Sequence, residues 1–366
     1  MRALVIGGTG PTGHFVVNGL LDRGYEVAIL HTGAHEIPEI PPEVEHIHTD
    51  PYSEEAFATA IGSRTFDLCV AMYGRLRSIA EQMVGKTDRF VSIGGVPAYR
   101  GYMNPMLFKP AGIPTPVFED APRVALPEED EKGWRIVRTE DAVFASHPTA
   151  VHFRYPYVYG KYQLMPREWC IVRRILEKRP HIIVADGGLS LHSYGYSGNL
   201  AHAVLLGVDH PEAAAGQIYN CADEEILSVR QVIEIIATEL NHDWEIVSMP
   251  WELALPARPL VSQPLPTHRM LDLGKLRHEL GYRDVVPARE AIAQYARHLA
   301  ESPLERGGTE EMVLQDPFDY AAEDKLIAAW KQMLAGMPEI KYEVEPGYTL
   351  SYSGPGGRAP GKNFEK

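Results

Sequence analysis

Cysteine is scarce in this chain of 366 residues, which carries only Cys69, Cys170 and Cys221. No two of them show the Cys-x-x-Cys spacing that is common in zinc sites and redox motifs. The cysteines therefore argue against a disulfide-stabilised fold and against a zinc site, and we interpret them as packed thiols.

Long apolar runs are also lacking, since none approaches the ~20 residues that a membrane-spanning helix requires. The first residues read as a strand, not as the basic, apolar and small-residue segments of a signal peptide. We therefore expect a cytoplasmic protein with no membrane partner.

Basic residues are outnumbered by acidic ones, with 35 Lys and Arg against 49 Asp and Glu and a net charge of -14. Because proteins bind nucleic acid by neutralising its phosphates with Lys and Arg, this balance argues against a nucleic-acid partner. Hydrophobic residues make up 45% and charged residues 23%, which is typical of globular proteins. The length suits about two domains, or one large α/β domain with a cap.

Glycine, by contrast, is concentrated near the start, in the stretch LVIGGTGPTGH at 4–14. Gly8, Gly10 and Gly13 satisfy the pattern G-x-G-x-x-G between a predicted strand and a predicted helix. The first glycine permits a tight turn, the second lets a pyrophosphate approach the backbone, and the third lets helix and strand pack closely. Free N–H groups at the start of the helix favour the phosphates. The stretch predicts a dinucleotide site.

The second predicted strand ends without the acidic residue that commonly holds the ribose 2′-hydroxyl of NAD. His31, Thr32 and Gly33 stand there instead. A 2′-phosphate would meet no carboxylate at this position, and His31 could donate a hydrogen bond to it. We therefore expect NAD(P) as cofactor, with a slight preference for NADP.

Strand and helix patterns alternate along the rest of the chain, which predicts an α/β fold with a Rossmann-like, doubly wound parallel sheet. Residues 1–165, joined by 190–225, are predicted to form the dinucleotide-binding domain. Residues 166–189 and 226–300 are predicted to form a smaller C-terminal cap that binds substrate, and residues 301–366 an extension.

The chain resembles the extended short-chain dehydrogenase/reductase family, also called the NAD-dependent epimerase/dehydratase family, over residues 1–300. The motifs that carry the resemblance are GGTGPTG at 7–13, HTD at 48–50, FDLCVA at 66–71, RFVSIGGV at 89–96, FRYPYVYGK at 153–161, GQIYNCADEEILSVRQV at 216–232 and LDLGKLRHELGY at 271–282.

The resemblance implies a set of cofactor-binding residues. Asp50 would contact the adenine end, and Ala71, Met72 and Tyr73 would line the ribose. The full predicted set is Gly7, Gly8, Thr9, Gly10, Pro11, Thr12, Gly13, His31, Thr32, Asp50, Ala71, Met72, Tyr73 and Tyr155.

The catalytic motif of the family is degenerate in this chain. The family pairs a Ser or Thr after the fifth strand with Tyr-x-x-x-Lys on the next helix, because the Lys lowers the tyrosine pKa for proton transfer. The resemblance puts Trp134 at the tyrosine, Arg138 at the lysine and Ile93 at the serine, with Ser92 one residue away. Trp cannot exchange the proton, whereas Arg138 could still hold a ribose hydroxyl or an anionic substrate.

Several other side chains are candidate proton donors or substrate contacts. A literal Tyr-x-x-x-Lys at Tyr157 and Lys161 falls in a strand and loop, so the two side chains would not share a helix face. The predicted catalytic set is Tyr99, Tyr102, Tyr157, Arg138 and Ser92, with Tyr155, His192 and Tyr194 as further donors, and the predicted substrate contacts are His192, Tyr194 and Trp169.

His46 and His48 alternate on one strand face, with Asp50 two residues further on, a spacing that is compatible with metal binding. The resemblance places this strand beside the adenine site without a metal. We therefore expect no metal here.

Two functions remain open from the sequence. The first is an NAD(P)-dependent oxidoreductase or epimerase-like enzyme, acting on a small, ring-bearing or partly apolar carbonyl or hydroxyl substrate with a non-standard proton donor. The second is a sensor or scaffold that binds NAD(P) and has lost catalysis. RNA binding, as in chloroplast relatives that the middle of the chain resembles, conflicts with the net charge. We expect a homodimer in either case.

Overall fold

The computed structural model describes residues 1–72, 74–261 and 264–343. Tyr73, one of the predicted ribose contacts, lies outside the described residues, as do residues 344–366 of the predicted extension. The chain divides into two compact units, residues 1–318 and residues 319–366. No helix in the described ranges has the length and apolarity that crossing a membrane requires.

The elements are numbered in chain order. The strands are β1 Arg2–Ile6, β2 Glu26–His31, β3 Glu45–His48, β4 Phe66–Ala71, β5 Thr87–Gly95, β6 Val151–Tyr155, β7 Tyr157–Tyr159, β8 His181–Ala185, β9 Leu191–His192, β10 Tyr194–Tyr196, β11 Ile218–Asn220, β12 Leu227–Ser228 and β13 Glu245–Met249. The helices are α1 Gly13–Asp22, α2 Glu54–Ile61, α3 Leu76–Gln82, α4 Glu131–Ser146, α5 Trp169–Leu176, α6 Ser197–Asp209, α7 Pro211–Ala214, α8 Val229–Glu239, α9 Arg258–Val261, α10 Gly274–Leu280, α11 Ala288–Glu301, α12 Thr309–Met312 and α13 Tyr320–Ala335.

Seven parallel strands form the main sheet, in the order β11-β6-β5-β4-β1-β2-β3. The central strands are apolar and buried on both faces, as a sheet covered by helices on two sides requires. Helices α1 and α6 pack on one face, and α2, α3 and α4 on the other. The predicted Rossmann-like, doubly wound α/β fold is confirmed.

A smaller region is formed by chain segments that lie before and after β11 in sequence. Strands β8 and β13 pair in parallel, and α5, α8 and α11 pack together beside them. The segment after α11 belongs to the same unit, because Trp169 Nε1 donates to Glu311 Oε1 at 2.8 Å and Arg174 pairs with Asp316 at 2.7 Å. The structure therefore puts the start of the C-terminal unit at Asp319, later than the predicted boundary at 301.

The second unit is described from Asp319 to residue 343. Its helix α13 begins where the Asp319 carboxylate accepts a hydrogen bond from the Ala322 N–H at 3.0 Å. Such a cap satisfies one of the free N–H groups of the first helical turn.

A buried charge network fastens α4 to the sheet. Arg154 on β6 and Glu140 on α4 are both fully buried, and the guanidinium donates to the two carboxylate oxygens at 2.7 and 2.8 Å. His152 Nε2 lies 3.4 Å from the same carboxylate. Burial acts to raise the pKa of Glu140, but the hydrogen bonds from Arg154 and His152 outweigh it and hold the pKa at about 2.

Removing one partner of this pair should be costly, because it leaves a buried guanidinium without its counter-charge. We expect Glu140→Gln to lower the free energy of unfolding by about 3 kcal/mol. A carboxyl with a depressed pKa contributes stability that is lost as the pH falls from about 4.5 toward 2. Denaturant unfolding at several pH values should therefore show a shallower acid dependence in the variant.

Glu131→Gln provides the matched control on the same helix, because Glu131 pairs with Arg135 at the exposed surface. Exposed pairs of this kind contribute about 0.3–0.5 kcal/mol. Equal losses in the two variants would contradict the assigned role of the buried pair.

Candidate functional site

The glycine-rich turn joins β1 to α1 at the carboxyl edge of the sheet. Gly7 has a φ of +94°, a backbone conformation that side chains rarely adopt. A Cβ on Gly8 would lie 2.7 Å from Ile29 Cγ2, and one on Gly13 would lie 2.5 Å from the Gly8 carbonyl. The packing of α1 against the turn therefore requires these three glycines.

Packing within the protein does not require a glycine at position 10. The nearest atom to a Cβ built on it is the Gly7 carbonyl oxygen, at 3.8 Å. The start of α1 also receives no side-chain cap from Thr12, the residue that precedes the helix. The outer side of the turn thus combines open space with helix N–H groups that no side chain caps, which is what an approaching phosphate needs. The residues of this turn fit a dinucleotide.

The other predicted cofactor residues lie at the ends of neighbouring strands. Ala71 ends β4 and is buried, and Met72 follows it, with its sulfur 3.9 Å from Thr12 Oγ1. Asp50 follows β3, where its carboxylate accepts a hydrogen bond from Tyr52 N–H at 2.9 Å. Tyr155 ends β6 and its hydroxyl donates to the Leu200 carbonyl at 3.4 Å. The remaining members, Thr9, Pro11 and Thr32, lie in the turns after β1 and β2.

His31 ends β2, but its ring is engaged by other side chains. Its Nε2 lies 3.1 Å from His46 Nδ1 and 3.6 Å from the Glu36 carboxylate, and its Nδ1 accepts a hydrogen bond from Gly33 N–H at 3.3 Å. A carboxylate therefore does lie beside the end of β2, supplied by a loop residue. The argument for NADP from a missing carboxylate is not supported.

A cavity of 310 Å³ opens beside the carboxyl ends of β5 and β6. Its wall includes Gly94, Gly95, Tyr102, Lys132, Ile136, Tyr155, Tyr157, Met165, Arg167, His192, Tyr194 and Arg269. The volume is at the small end of the range of ligand sites, about 300–1,000 Å³. Five predicted residues lie on this wall, namely Tyr102, Tyr155, Tyr157, His192 and Tyr194.

Two cations that the sequence analysis did not single out, Arg167 and Arg269, are buried in this wall. Arg167 stacks on the ring of Tyr157 with its guanidinium carbon 3.4 Å from the centroid, and Arg269 lies 5.3 Å from that of Tyr102. In the described part of the chain the Nε of each guanidinium lacks a hydrogen-bond partner, and neither forms an ion pair.

His192 lies beside these cations and is buried as well. Burial, together with the positive charges of Arg269 and Arg167, holds the pKa of His192 well below its usual value, so the ring is neutral at pH 7. The buried Glu168 carboxyl acts on Arg167 through its charge, but burial raises its pKa to about 7, so it balances that cation only in part. Buried cations without a full counter-charge are costly unless an anion enters the cavity. The arrangement suits a ligand that carries a carboxylate or a phosphate.

Tyr99 and Ser92 do not line this cavity, and their catalytic roles stay predictions. Tyr99 is fully buried, and its hydroxyl donates to Asn220 Oδ1 at 2.6 Å. Ser92 is also fully buried, and its hydroxyl lies 2.7 Å from His152 Nδ1. Both polar groups are satisfied inside the protein.

Arg138 and Trp169 also do not line the cavity, and their catalytic and substrate roles stay predictions. Arg138 is exposed on α4 and stacks over Trp134 with its guanidinium carbon 4.7 Å from the ring centroid. Trp169 is buried beneath Glu311, which accepts its indole N–H. Trp169 is a packing residue.

The face of α4 that lines the cavity carries Lys132 and Ile136. Lys132 and Ile136 each precede a member of the predicted pair, Trp134 and Arg138, by two residues. In a helix of 3.6 residues per turn, two residues correspond to a rotation of about 200°. Gly94 and Gly95 lie opposite, and a Cβ on Gly94 would lie 2.4 Å from His152 Nε2.

The literal Tyr-x-x-x-Lys pair is divided between different partners. The Tyr157 hydroxyl donates to the Met165 carbonyl and accepts from Arg167 N–H at 2.8 Å, while Lys161 pairs with Glu39. The Tyr102 hydroxyl differs from it, because none of the hydrogen bonds between described residues engages it. Tyr102 is the tyrosine of the predicted catalytic set that remains free to donate.

No protein-family model matches the chain. A curated relative, the uncharacterized protein y4nL of Sinorhizobium fredii, is 33% identical over 122 residues, which cover 33% of each chain. The uncharacterized protein YbjS of Escherichia coli is 26% identical over 158 residues, 37% of this chain and 47% of that one. The matches thus span a third and about half of these relatives.

Solved structures show the same fold over most of the chain. A UDP-galactose 4-epimerase covers 83% of this chain and 100% of its own at 16% identity, with a TM-score of 0.61. The UDP-glucose 4-epimerase of Thermotoga maritima covers 82% and 99% at 16% identity, with a TM-score of 0.66. The UDP-glucuronic acid 4-epimerase of Bacillus cereus, solved with NAD, covers 82% and 100% at 16% identity, with a TM-score of 0.61. The resemblance in fold is confirmed.

Removing the hydroxyl of Tyr99 should destabilise the protein more than removing the hydroxyl of Tyr102. Tyr99→Phe leaves the buried Asn220 Oδ1 without its donor, so we expect the free energy of unfolding to fall by about 1–3 kcal/mol. Tyr102→Phe breaks no hydrogen bond to a described residue. It should therefore change the free energy of unfolding by less than about 0.5 kcal/mol. Urea unfolding of the two variants measures the difference, and the reverse order would contradict the assignment.

Proposed function

We propose that the chain is an NAD(P)-dependent oxidoreductase or epimerase-like enzyme that acts on a small carbonyl or hydroxyl compound carrying an anionic group. The observation that carries the proposal is the presence, along one edge of one parallel sheet, of an open phosphate-binding turn and a cavity with two unpaired buried arginines. Ligands of open parallel α/β sheets bind at that edge.

The glycine turn supports the cofactor half of the proposal. The open side of Gly10 lets a pyrophosphate approach the backbone, and the start of α1 presents N–H groups and the positive end of the helix dipole. The bound dinucleotide supplies hydride transfer. With Glu36 beside the end of β2, the proposal makes no choice between NAD and NADP.

The arginines support the substrate half. Although the buried Glu168 carboxyl acts on Arg167 through its charge, Arg167 and Arg269 are buried in the cavity wall and have no anionic partner at ion-pair distance among the described residues. A carboxylate or phosphate on the substrate would supply it through charge-assisted hydrogen bonds. The tyrosine rings and Met165 around these cations provide apolar surface for the rest of a small molecule.

Tyr102 is the proposed proton donor. Burial raises the pKa of its hydroxyl, while Arg269 and Arg167 oppose that rise, so the group holds its proton at neutral pH. It therefore suits the role of an acid that protonates a forming alkoxide. Tyr157 is less suited, because its hydroxyl is already bound to backbone groups.

A sensor or scaffold that binds the dinucleotide without catalysis is the second candidate function. It is favoured by the cavity face of α4, which offers Lys132 and Ile136 where the family has its Tyr and Lys, and by the lack of a hydroxyl on Gly94 and Gly95. The homodimer and the cytoplasmic location stay predictions under both functions.

Gly10→Ala tests the cofactor site. The added methyl group enters open space, so the free energy of unfolding should change by less than about 0.5 kcal/mol. The same methyl group occupies the approach of the pyrophosphate, so we expect the Kd for NADH or NADPH to rise at least ~10-fold. Fluorescence titration and thermal unfolding provide the two measurements.

Gly13→Ala is the matched comparison, because its methyl group would collide with the Gly8 carbonyl and should lower both stability and binding. The cofactor proposal fails when the unmodified protein binds neither nucleotide, or when Gly10→Ala binds both as tightly as the unmodified protein.

Paired substrates test the anion site. A panel of small carbonyl compounds, each offered as a free acid and as its uncharged ester or amide, is assayed with NADH and NADPH. We expect the protein to turn over the acids. The Arg269→Gln variant should lose about 2 kcal/mol of transition-state stabilisation, which corresponds to a ~30-fold lower kcat/KM. Arg138→Gln is the control, since Arg138 lies on the exposed side of α4.

Tyr102→Phe belongs in the same assay, with an expected fall in kcat of about 10²–10⁴-fold, and Tyr99→Phe serves as its control. A higher kcat/KM for the uncharged esters or amides than for the acids would contradict the proposal of an anionic substrate. Tight nucleotide binding with no turnover of any compound would favour the sensor.

A further inference from the structure

Three histidines and one glutamate meet at the outer edge of the main sheet. The parallel register pairs His31 on β2 with His48 on β3, and His46 points to the same face two residues earlier. Glu36, in the loop between the two strands, reaches over this edge. One side-chain donor atom from each of the four residues lies within 4.8 Å of all the others.

The donor atoms are spaced as the ligands of one metal ion. Glu36 oxygens lie 3.6 Å from His31 Nε2, 3.2 Å from His46 Nδ1 and 3.0 Å from His48 Nε2. His31 Nε2 and His46 Nδ1 are 3.1 Å apart. Zinc bonds of about 2.0–2.1 Å in a tetrahedron place neighbouring ligand atoms about 3.3 Å apart. The four separations given lie around that value, with Glu36 Oε1 toward His31 and His48 and Oε2 toward His46, and the four donor atoms all lie within 4.8 Å of one another.

Hydrogen bonds alone do not satisfy this arrangement when the rings are neutral. His31 Nδ1 accepts the Gly33 N–H, so its Nε2 carries the proton and donates to His46 Nδ1. His46 Nδ1 then cannot also donate to the Glu36 oxygen 3.2 Å away, and two lone pairs face each other. A cation at the centre turns every one of these lone pairs into a ligand.

The protonation of the site favours a cation as well. The ring of His31 ligates a cation in its neutral form, and the carboxylate of Glu36 contributes the negative charge of the site. Metal binding at His31 Nε2 moves the ring proton to Nδ1, and the long hydrogen bond from Gly33 is given up.

We infer that His31, Glu36, His46 and His48 bind one divalent cation of the zinc type. Imidazole nitrogen and carboxylate oxygen suit Zn²⁺, whereas Mg²⁺ and Ca²⁺ prefer sites made of oxygen alone. With four protein ligands the site is structural, and the cation ties the loop after β2 to the end of β3. The inference does not depend on the proposed function.

The sequence analysis expected no metal because the resemblance places this strand beside the adenine site, and the only partners it considered were His46, His48 and Asp50. Asp50, the expected third group, accepts a hydrogen bond from Tyr52 N–H and is not part of the cluster. The third histidine comes from the neighbouring strand, and the acidic ligand comes from the loop. The scarcity of cysteine does not bear on such a site, since none of its ligands is a thiolate.

Metal titration tests the site directly. Untagged full-length protein, stripped with a chelator and freed of nucleotide, is titrated with Zn²⁺ by calorimetry and with Co²⁺ by visible absorption. We expect one cation per chain and the intense Co²⁺ bands of tetrahedral coordination. His48→Ala should weaken Zn²⁺ binding at least ~100-fold, since losing a residue that merely orients a ligand already costs about 10–100-fold.

His35→Ala is the matched control, because His35 is exposed in the same loop and is not among the four converging residues. Glu36→Gln keeps the size of the side chain and removes the charge, and circular dichroism verifies that each variant is folded. The inference is overturned by failure of the unmodified protein to bind a stoichiometric cation, or by His48→Ala and Glu36→Gln binding Zn²⁺ as tightly as His35→Ala does.

Discussion

The close packing of α1 against the turn that precedes it sets the position of every other functional group. Gly8 and Gly13 allow the helix to begin directly at the end of β1, where a Cβ on either would overlap its neighbours. The start of α1 is thereby held at the carboxyl edge of the sheet. Because all seven strands run parallel, β2, β3, β5 and β6 end at the same edge. The glycine turn, the histidine cluster and the cavity therefore lie along the same edge of the sheet.

Buried guanidinium groups serve opposite purposes at two places in the first unit. Arg154 donates to both oxygens of Glu140, so its charge is balanced and the pair fixes α4 on the sheet. Arg167 and Arg269 are also buried, but neither forms an ion pair with a described residue, and the buried Glu168 carboxyl acts on Arg167 only through its charge. A folded protein tolerates such a cost where a ligand offsets it. The proposed ligand-binding pair therefore differs from the structural pair by its lack of a directly bonded carboxylate.

Local sequence patterns predicted the glycine turn and the parallel sheet, because both depend on residues that are close in the chain. The cations of the cavity could not be found that way. Arg269 reaches it only because a bridge to His192 aligns two segments that are far apart in sequence. Glu36 and His31 join His46 and His48 for the same reason, through the register of β2 on β3. Trp134 and Arg138, which the resemblance puts at the catalytic positions, do not line the cavity, whereas Lys132 and Ile136 of the same helix do.

The chemistry of the cavity follows from how its charges change when a ligand enters. In the free protein, Arg269 and Arg167 act against the rise in the pKa of Tyr102 that burial causes. An anionic substrate neutralises both cations and excludes water at once, so burial then acts unopposed and the hydroxyl holds its proton more firmly. A tyrosine in that state donates only to a strongly basic oxygen, such as the alkoxide that forms when a carbonyl accepts a hydride. In the proposed enzyme, the arginines would thus link recognition of the anion to the protonation state of the donor.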